Sequence, residues 1–263
     1  LVCSSCRKVL AGSHPDFITV DDPEKKTVPV ELIRQARARG VDVTFDVYPY
    51  TASSTGLNVC LPKTFFTHGP KKMCSLLWDP AVRAELKRQM AIMDGHLHRC
   101  GGWKGILLTA VPKTPAAMGK TVQEYADELG RDAYEVYFDL CAENSGSAQA
   151  VFFSMCEEDL QRIVCDENAA IGTDGIVNNL ETPTHPRGIA AFPKAFRYFV
   201  RDKKLLTPEA MIRKMTGFPA ERFGLKGKGI IADGMDAEGK ADRGYSWEMD
   251  FDKETYSKSL NGT

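Results

Sequence analysis

An aspartate stands at the end of a short apolar run, where a strand would reach the edge of a sheet. The run is "AAIGTDG" (169–175), in which Asp174 lies between Thr173 and Gly175. A carboxylate in this place can hold a metal ion or take a proton from a metal-bound water. The same residues also suit an ordinary turn, with Asp174 capping the loop before Gly175. The spacing alone leaves both interpretations open.

A histidine and an arginine follow in "THPRG" (184–188), on either side of Pro186. The guanidinium group is a planar fork that matches a carboxylate, so Arg187 is a candidate for binding a carboxylate ligand. An arginine in a loop is also often simply solvated. His185 is either a partner of a functional residue or a packing residue of the loop.

Hydroxyl groups follow a second predicted strand, in "DVYPYTASST" (46–55). Tyr48, Tyr50, Ser53 and Ser54 could line a pocket with hydrogen-bond donors. Alternatively, the tyrosines form an aromatic cover and the serines a polar turn.

Other motifs carry weaker signals. Cys3 and Cys6 form one CxxC pair, and no second pair completes a zinc knuckle. His96 and His98 lie two residues apart on a predicted helix, which points their rings to different sides. The sequence has no GxGxxG, P-loop or GxSxG motif, and this argues against nucleotide binding and serine hydrolysis.

Strands and helices alternate along the chain. "VELIRQARARG" predicts a helix that stops at Gly40, and "VDVTFDVYPY" predicts a strand that Pro49 ends. Further strands are predicted in "GILLTAV", "AQAVFFSM" and "AAIGTDG", and further helices in "DPAVRAELKRQMAIM", "TVQEYADELGRDAYEVYFDLCAEN" (interrupted at Gly130), "EEDLQRIVCD", "FPKAFRYFVRDKKL" and "TPEAMIRKMTGFPAERFG". This order favours a parallel α/β sheet or barrel, in which functional residues follow the carboxyl ends of strands.

Composition narrows the class of protein. The 263 residues are 43% hydrophobic and carry a net charge of -1, as expected of a globular protein that binds no nucleic acid. No apolar run reaches the length of about 18 residues that a membrane span needs. The eight cysteines show no framework spacing, so we expect reduced thiols and a cytoplasmic protein. The chain starts without Met, and we expect it to be a piece of a longer protein.

Several segments together carry a family resemblance: "VTFDVYPYTASST", "AAIGTDG" and "THPRGIAAFPKAFRYFVRDKKLLTPEAMIRKMTGFPAERFGLKGKGIIADGMDA". They resemble the C-terminal half of the D-aminoacylases, the N-acyl-D-amino-acid deacylases of the amidohydrolase superfamily. The resemblance implies an α/β fold, with a partial TIM-like (β/α) barrel of the metal-dependent amidohydrolase type in residues 30–225. It further implies the stump of a small β-sandwich in residues 226–263, and it leaves residues 1–29 unassigned.

The resemblance also implies an activity, the zinc-dependent hydrolysis of an N-acyl-D-amino acid. Asp174 matches the family's catalytic aspartate, which contacts the metal, activates the bound water and protonates the leaving amine. Arg187 matches the arginine that receives the substrate carboxylate, and Tyr48 and Ser54 match residues that help to bind the substrate. We expect His185 to belong to the same pocket.

The chain departs from the family at the metal ligands, a cysteine and two histidines that lie upstream of "DVYPY". Most of that region is absent, and "CSSCRK" (3–8) stands where the family has Ser-His-His-Lys, so Cys6 is a candidate ligand. The set of zinc ligands is then incomplete in this chain, unless another chain or a missing N-terminal half supplies ligands. The alternatives are a metal-free fragment that binds without turnover, or another amidohydrolase such as a hydantoinase. An opened barrel exposes sheet edges, so we expect the isolated chain to be unstable or to self-associate.

Overall fold

The computed structural model describes residues 30–175 and 185–236. The chain divides into two compact units, residues 1–45 and 46–263. None of the helices in the described part of the chain has the length and apolarity that a membrane span requires.

The described part of the first unit is a helix and the chain that leaves it. Helix α1 (Val30–Ala38) is followed by Gly40, whose φ of 80° is the left-handed conformation that glycine adopts at helix ends. The Arg37 guanidinium lies 5.7 Å from the centre of the Phe45 ring and donates a hydrogen bond to the Val43 carbonyl (3.4 Å). These contacts hold the returning chain against the helix end.

Helices are the most frequent elements in the described part of the second unit. They are α2 (Pro70–Leu76), α3 (Pro80–Ile92), α4 (His96–Arg99), α5 (Val122–Leu129), α6 (Ala133–Glu143), α7 (Glu157–Cys165), α8 (Arg187–Ala195), α9 (Pro208–Met215) and α10 (Gly217–Arg222). Short 3-10 helices span Leu57–Cys60, Lys63–His68, Trp103–Gly105 and Pro115–Ala117, and a π-helix, Phe196–Asp202, continues α8.

The strands form two separate sheets. β1 (Phe45–Val47) and β5 (Ala169–Ile171) make a two-stranded sheet, whereas β2 (Ser53–Gly56), β4 (Gln149–Phe152) and β3 (Ile106–Ala110) make a three-stranded sheet in that order.

Both pairings of β4, with β2 and with β3, are antiparallel, so the expectation of a parallel sheet is wrong for these strands. Apolar alternation is the same in parallel and antiparallel strands, and only the path of the connecting chain sets their direction. The α/β class is confirmed, and the partial barrel stays a prediction.

Local sequence signals explain where several helices begin. Thr121 and Glu124 form a capping box, with the Glu124 N–H donating to the Thr121 hydroxyl (3.1 Å) and the Thr121 N–H to the Glu124 carboxylate (2.7 Å). Gly130, at φ 62°, separates α5 from α6 as predicted. The Ala210 N–H donates to the Thr207 hydroxyl (3.2 Å), which caps α9.

The predicted helix "TPEAMIRKMTGFPAERFG" is in fact two helices, α9 and α10. The break falls at Thr216, which has φ −133° and ψ −78°. Pro219 explains it, because proline has no N–H for the carbonyl four residues earlier and its ring clashes with that carbonyl.

The largest core lies between the helices and the antiparallel sheet. Its fully buried members include Tyr137, Phe138, Leu57 and Ile106, and the Tyr137 hydroxyl donates to the Leu57 carbonyl (3.2 Å). Burying the Tyr137 hydroxyl without a hydrogen-bond partner would be unfavourable, so this bond allows the aromatic ring to lie in the core. This core belongs to the chain between β1 and β5.

A second core supports strand β5. Ile171 packs in a cluster with Phe199 of the π-helix and Met211 of α9. Lys214 is buried below the strand, where its ammonium donates to the carbonyls of Ala169 (3.1 Å) and Asp166, and burial lowers its pKa. The helices after β5 therefore hold this strand from one side.

The described end of the chain, residues 226–236, contains no strand. Its backbone turns back on itself, since the Asp236 N–H donates to the Gly227 carbonyl (2.8 Å). Ile231 is fully exposed and Ile230 largely so. The rest of the predicted β-sandwich stump lies outside the described residues, as do Cys3 and Cys6.

Candidate functional site

The candidate site begins where β1 and β5 end side by side. The Gly172 N–H donates to the Val47 carbonyl (3.0 Å), which joins the two strand ends. A Cβ at residue 172 would lie 2.1 Å from Asp46 Oδ2, so the Asp46 side chain fills the space that glycine leaves. The chain after β5 and the chain after β1 therefore leave the same edge of the sheet.

Asp174 occupies a backbone conformation that few residues adopt. Its φ is 43°, in the left-handed region where aspartate and asparagine are enriched among non-glycine residues. The next N–H, of Gly175, donates to the Thr173 hydroxyl (3.3 Å). Residues 172–175 thus form a loop after β5, and the loop presents the exposed Asp174 carboxylate.

Gly175 is required because helix α8 comes very close. A Cβ at residue 175 would lie 2.3 Å from the Cα of Gly188 and 2.8 Å from its nitrogen. Two glycines therefore allow this loop to touch the first turn of α8, which carries Arg187. The sequence signals for this contact are Gly175 itself and Gly188 in "THPRG".

An ion pair joins the two predicted functional residues. Arg187 Nη2 lies 2.8 Å from Asp174 Oδ2, with side-chain exposures of 9% for the arginine and 66% for the aspartate. The guanidinium is therefore buried while the carboxylate faces solvent. Because solvent screens the exposed Asp174 carboxylate, the pair stabilises the fold by about 1 kcal/mol at most, and its geometry is of more interest than its strength.

The Arg187 guanidinium is fixed on two more sides. Nη2 donates to the Ser54 carbonyl (3.2 Å), and the guanidinium carbon lies 4.7 Å from the centre of the Tyr48 ring. Ser54 thus contributes its backbone oxygen to this contact. Cation–π stacking and a carbonyl acceptor together define the plane of the fork.

The second terminal nitrogen of the same guanidinium, Nη1, is buried and has no hydrogen-bond partner among the described residues. A buried donor without a partner costs about 1–3 kcal/mol. The contacts with Ser54, Tyr48 and Asp174 already hold the guanidinium in place, so Nη1 is suited to donate to a ligand oxygen.

Tyr48 stays protonated beside this pair. Burial raises its pKa and the Asp174 charge raises it further, while the Arg187 charge and hydrogen bond act in the opposite direction. The phenol group can therefore donate a hydrogen bond at neutral pH.

His185 has both ring nitrogens bound to backbone groups. Nδ1 accepts a hydrogen bond from the Arg187 N–H (3.1 Å), and Nε2 lies 3.0 Å from the Ala52 carbonyl. The residue is 5% exposed, and its ring meets the Tyr50 ring edge-on at 4.9 Å. Burial, with the nearby Arg187 charge, lowers its pKa to about 4. His185 is consequently neutral at physiological pH.

Lys194 is a neighbour that the sequence did not single out. Its ammonium lies 4.3 Å from the centre of the Tyr50 ring. Lys194 follows Arg187 by seven residues on α8, so both side chains lie on one face of the helix. This i,i+7 spacing was the available signal, but the helix was predicted to begin only at Phe192.

The antiparallel sheet positions the segment that His185 and Arg187 bind. Ala52 is buried in a small cluster with Leu107 of β3 and Val151 of β4. Ser54 lies in β2 and pairs with Val151. The carbonyls of Ala52 and Ser54 are therefore anchored by strands whose own core is independent of β5.

A cavity of about 500 Å³ lies elsewhere in the second unit, between α3 and α6. Its wall includes the Arg83 guanidinium, which pairs with Glu135 (2.8 Å) and Asp139 (2.6 Å). None of the residues predicted to be functional lines it. We therefore place the candidate site at the strand ends and not in this cavity.

Comparison with known proteins shows which proteins the chain is similar to. No protein-family model matches the chain. An N-acyl-D-glutamate deacylase of Alcaligenes xylosoxydans xylosoxydans is 30% identical over 235 residues, which are 89% of this chain and 38% of that protein.

Solved structures agree with the sequence comparison. The N-acyl-D-glutamate deacylase of Bordetella bronchiseptica, crystallised with zinc and a phosphonate that mimics the tetrahedral intermediate, is 26% identical with a TM-score of 0.54. A D-aminoacylase that defines a novel subset of amidohydrolases gives the same two values. Each likeness covers 78% of this chain and 34% of the solved chain.

These similarities in sequence and structure relate the chain to the amidohydrolases. Within that class it is homologous to the N-acyl-D-amino-acid deacylases, the D-aminoacylase family, whose members are hydrolases acting on amide bonds. The chain spans only about a third of the length of these relatives.

The described residues do not fit a zinc site by themselves. Residues 30–175 and 185–236 contain no group of three or more His, Cys, Asp or Glu side chains that could hold a metal ion, whereas a zinc site needs three or four protein ligands. Asp174 is bound to Arg187, and both His185 nitrogens are bound to backbone groups. Cys6, the other predicted ligand, lies outside the described residues.

Proposed function

We propose that this chain is the part of an N-acyl-D-amino-acid deacylase that receives the substrate carboxylate and carries the acid/base group. The observation that carries the proposal is the Arg187 guanidinium, buried and fixed in plane, with Nη1 unpartnered among the described residues and Asp174 at its other nitrogen. The similarity to deacylases supports the proposed reaction, in which an N-acyl-D-amino acid and water yield a D-amino acid and a carboxylate.

In this proposal Arg187 binds the substrate carboxylate. Nη1 supplies the donor that the protein leaves without a partner, and the ion pair with Asp174 keeps the fork from turning. Tyr48 stacks on the guanidinium and adds a neutral hydroxyl donor beside it. Substrate binding thus satisfies a buried group that is costly in the free protein.

Asp174 moves the proton. Its carboxylate faces solvent next to the bound substrate, so it can accept a proton from the water that attacks the acyl carbon. When the carbon–nitrogen bond breaks, the same proton goes to the leaving nitrogen, and Asp174 returns to its charged form. The ion pair with Arg187 would hold the Asp174 carboxylate near the carboxylate of the bound substrate.

The zinc of the solved relative has no ligand set among the described residues, and we derive no step through it. If zinc is bound, its ligands include groups outside residues 30–175 and 185–236. Cys6 remains a candidate for one of them.

Hydrolysis of N-acetyl-D-methionine, measured together with the zinc content of the purified protein, tests the proposal. We expect turnover of the D-enantiomer and its loss in Asp174→Asn, which keeps the left-handed backbone at residue 174 because asparagine also adopts that conformation. Asp159→Asn is the control, since Asp159 is an exposed carboxylate that pairs with Arg162 at 3.8 Å. We expect this control to retain activity.

Two results would reject the deacylase. Turnover of hydantoin alone would indicate a hydantoinase. Stoichiometric binding of N-acetyl-D-methionine without product, in protein that contains zinc, would indicate a carboxylate-binding protein whose site is inherited from an enzyme. Undiminished turnover in Asp174→Asn would remove the aspartate from the mechanism.

A further inference from the structure

We propose that His185 is a positioning residue, which aims the Arg187 guanidinium at the substrate carboxylate by fastening the turn at residues 185–187 to residues 52–54. This inference rests on the proposed function, because it concerns how the carboxylate is received. It assigns to His185 no contact with the reacting atoms.

The first support is the pair of bonds at the imidazole. The Arg187 N–H can donate only to a nitrogen that carries no proton, so Nδ1 is unprotonated and the proton lies on Nε2. Nε2 then donates to the Ala52 carbonyl. The neutral Nε2–H tautomer satisfies both bonds, whereas the other neutral form would place two donors at Nδ1 and two acceptors at Nε2.

The second support is a parallel link from the arginine itself. Arg187 Nη2 donates to the Ser54 carbonyl, two residues after the carbonyl that His185 binds. The backbone of the turn and the tip of the arginine are thereby held to one short segment. Because Nη2 already has Asp174 and Ser54 as acceptors, the direction of Nη1 depends on how this turn is placed.

The third support is the surroundings of the ring. His185 is 5% exposed and lies edge-on to Tyr48 and Tyr50, at 6.2 and 4.9 Å between ring centres. The charged groups that act on it are Arg187 and Lys194, both cations of α8. A neutral ring among cations, bound to backbone at both nitrogens, is suited to holding geometry and is poorly placed to contact a substrate.

Two substrates separate positioning from general structural support. N-acetyl-D-methionine carries the carboxylate that Arg187 would bind, and N-acetyl-D-methioninamide has a neutral amide in its place. In His185→Ala we expect kcat/KM for the acid to fall by about 10- to 100-fold, mainly through KM, since misplacing a binding group by about 1 Å costs up to about 100-fold. For the amide we expect less than a two-fold change.

Two conservative variants divide the role of the ring. His185→Asn keeps an acceptor near Nδ1, and His185→Gln keeps a donor near Nε2, so each retains one bond and should recover part of the lost affinity. Arg187→Ala should reproduce the loss seen in His185→Ala, and the double variant should be no worse than Arg187→Ala alone. Equal losses for the acid and the amide, or additive losses in the double variant, would overturn the proposal.

Binding and nitrogen NMR keep the inference independent of turnover. If the wild-type protein hydrolyses neither compound, the deacylase proposal fails, and calorimetric binding of N-acetyl-D-methionine in the same variants then tests the positioning role. Absence of binding by the wild type would overturn both. Imidazole nitrogen shifts of the wild type should show Nε2–H; a proton on Nδ1 would overturn the positioning role even if the variants fail to fold.

Discussion

Gly175→Ala is the substitution that tests most directly how the site is assembled. The new Cβ would lie 2.3 Å from the Gly188 Cα, whereas carbon atoms in contact are about 3.5–4.0 Å apart. The obstructing atoms belong to backbone, so the first turn of α8 has to retreat by roughly 1 Å or more. Such overpacking costs about 1–3 kcal/mol of unfolding free energy.

The same retreat should disconnect the site. Arg187 directly precedes Gly188, and its 2.8 Å contact with Asp174 would lengthen beyond the range of about 2.7–3.2 Å in which such bonds form. We therefore expect Gly175→Ala to lose both stability in urea unfolding and affinity for N-acetyl-D-methionine in calorimetry.

Gly95→Ala is the matched control. A Cβ at residue 95 would also meet a neighbour, at 2.8 Å, but that atom is the terminal methyl group of Met93, which can move aside. We expect a change in stability below about 0.5 kcal/mol and unchanged affinity. If Gly175→Ala matched the wild type in both assays, the close approach of Gly175 to Gly188 of α8 would not be what holds the site together.

Three further outcomes are expected. The pKa of His185 is lowered to about 4 from an ordinary 6.5, so the stabilising effect of the neutral ring is complete above about pH 6.5 and is lost as the pH falls toward 4. In urea titrations the free energy of unfolding of the wild type should fall by on the order of 3 kcal/mol across this range, relative to that of His185→Gln. Parallel pH profiles of the two proteins would contradict this. Thr121→Ala should lower the unfolding free energy by about 1 kcal/mol through the capping box, whereas an unchanged midpoint of unfolding would show that the cap contributes nothing. Sedimentation of the isolated chain should show self-association that grows with concentration, because Phe223 and Ile231 are exposed; a monodisperse monomer with a sharp cooperative melt would refute this.

Sequence analysis singled out residues that lie together in the structure, but it did not predict all the atoms through which they make contact. Asp174 and Arg187 were singled out by residue type and position, and the structure brings them to 2.8 Å. Ser54 was expected to act through a side-chain hydroxyl, but it reaches Arg187 through its carbonyl. Any residue has a carbonyl, so no pattern of side chains could have shown this contact.

Strand direction and helix starts were the weaker predictions. β2, β3 and β4 carry strand patterns, but their antiparallel pairing depends on the return path of the chain. Helix α8 begins at Arg187, five residues before the predicted start, because Pro186 at its N-terminus suits the beginning of a helix. That shift hid the face shared by Arg187 and Lys194.

The two hydrogen bonds that join the turn at residues 185–187 to the segment after β1 each span 133 residues of chain. The chain between them carries its own large core, so its folding does not have to wait for these bonds. Closing so long a loop is entropically expensive until the intervening chain has become compact. We therefore expect the site to be the last part of the second unit to form and the first to open, so that ligand binding during refolding should lag behind the recovery of secondary structure.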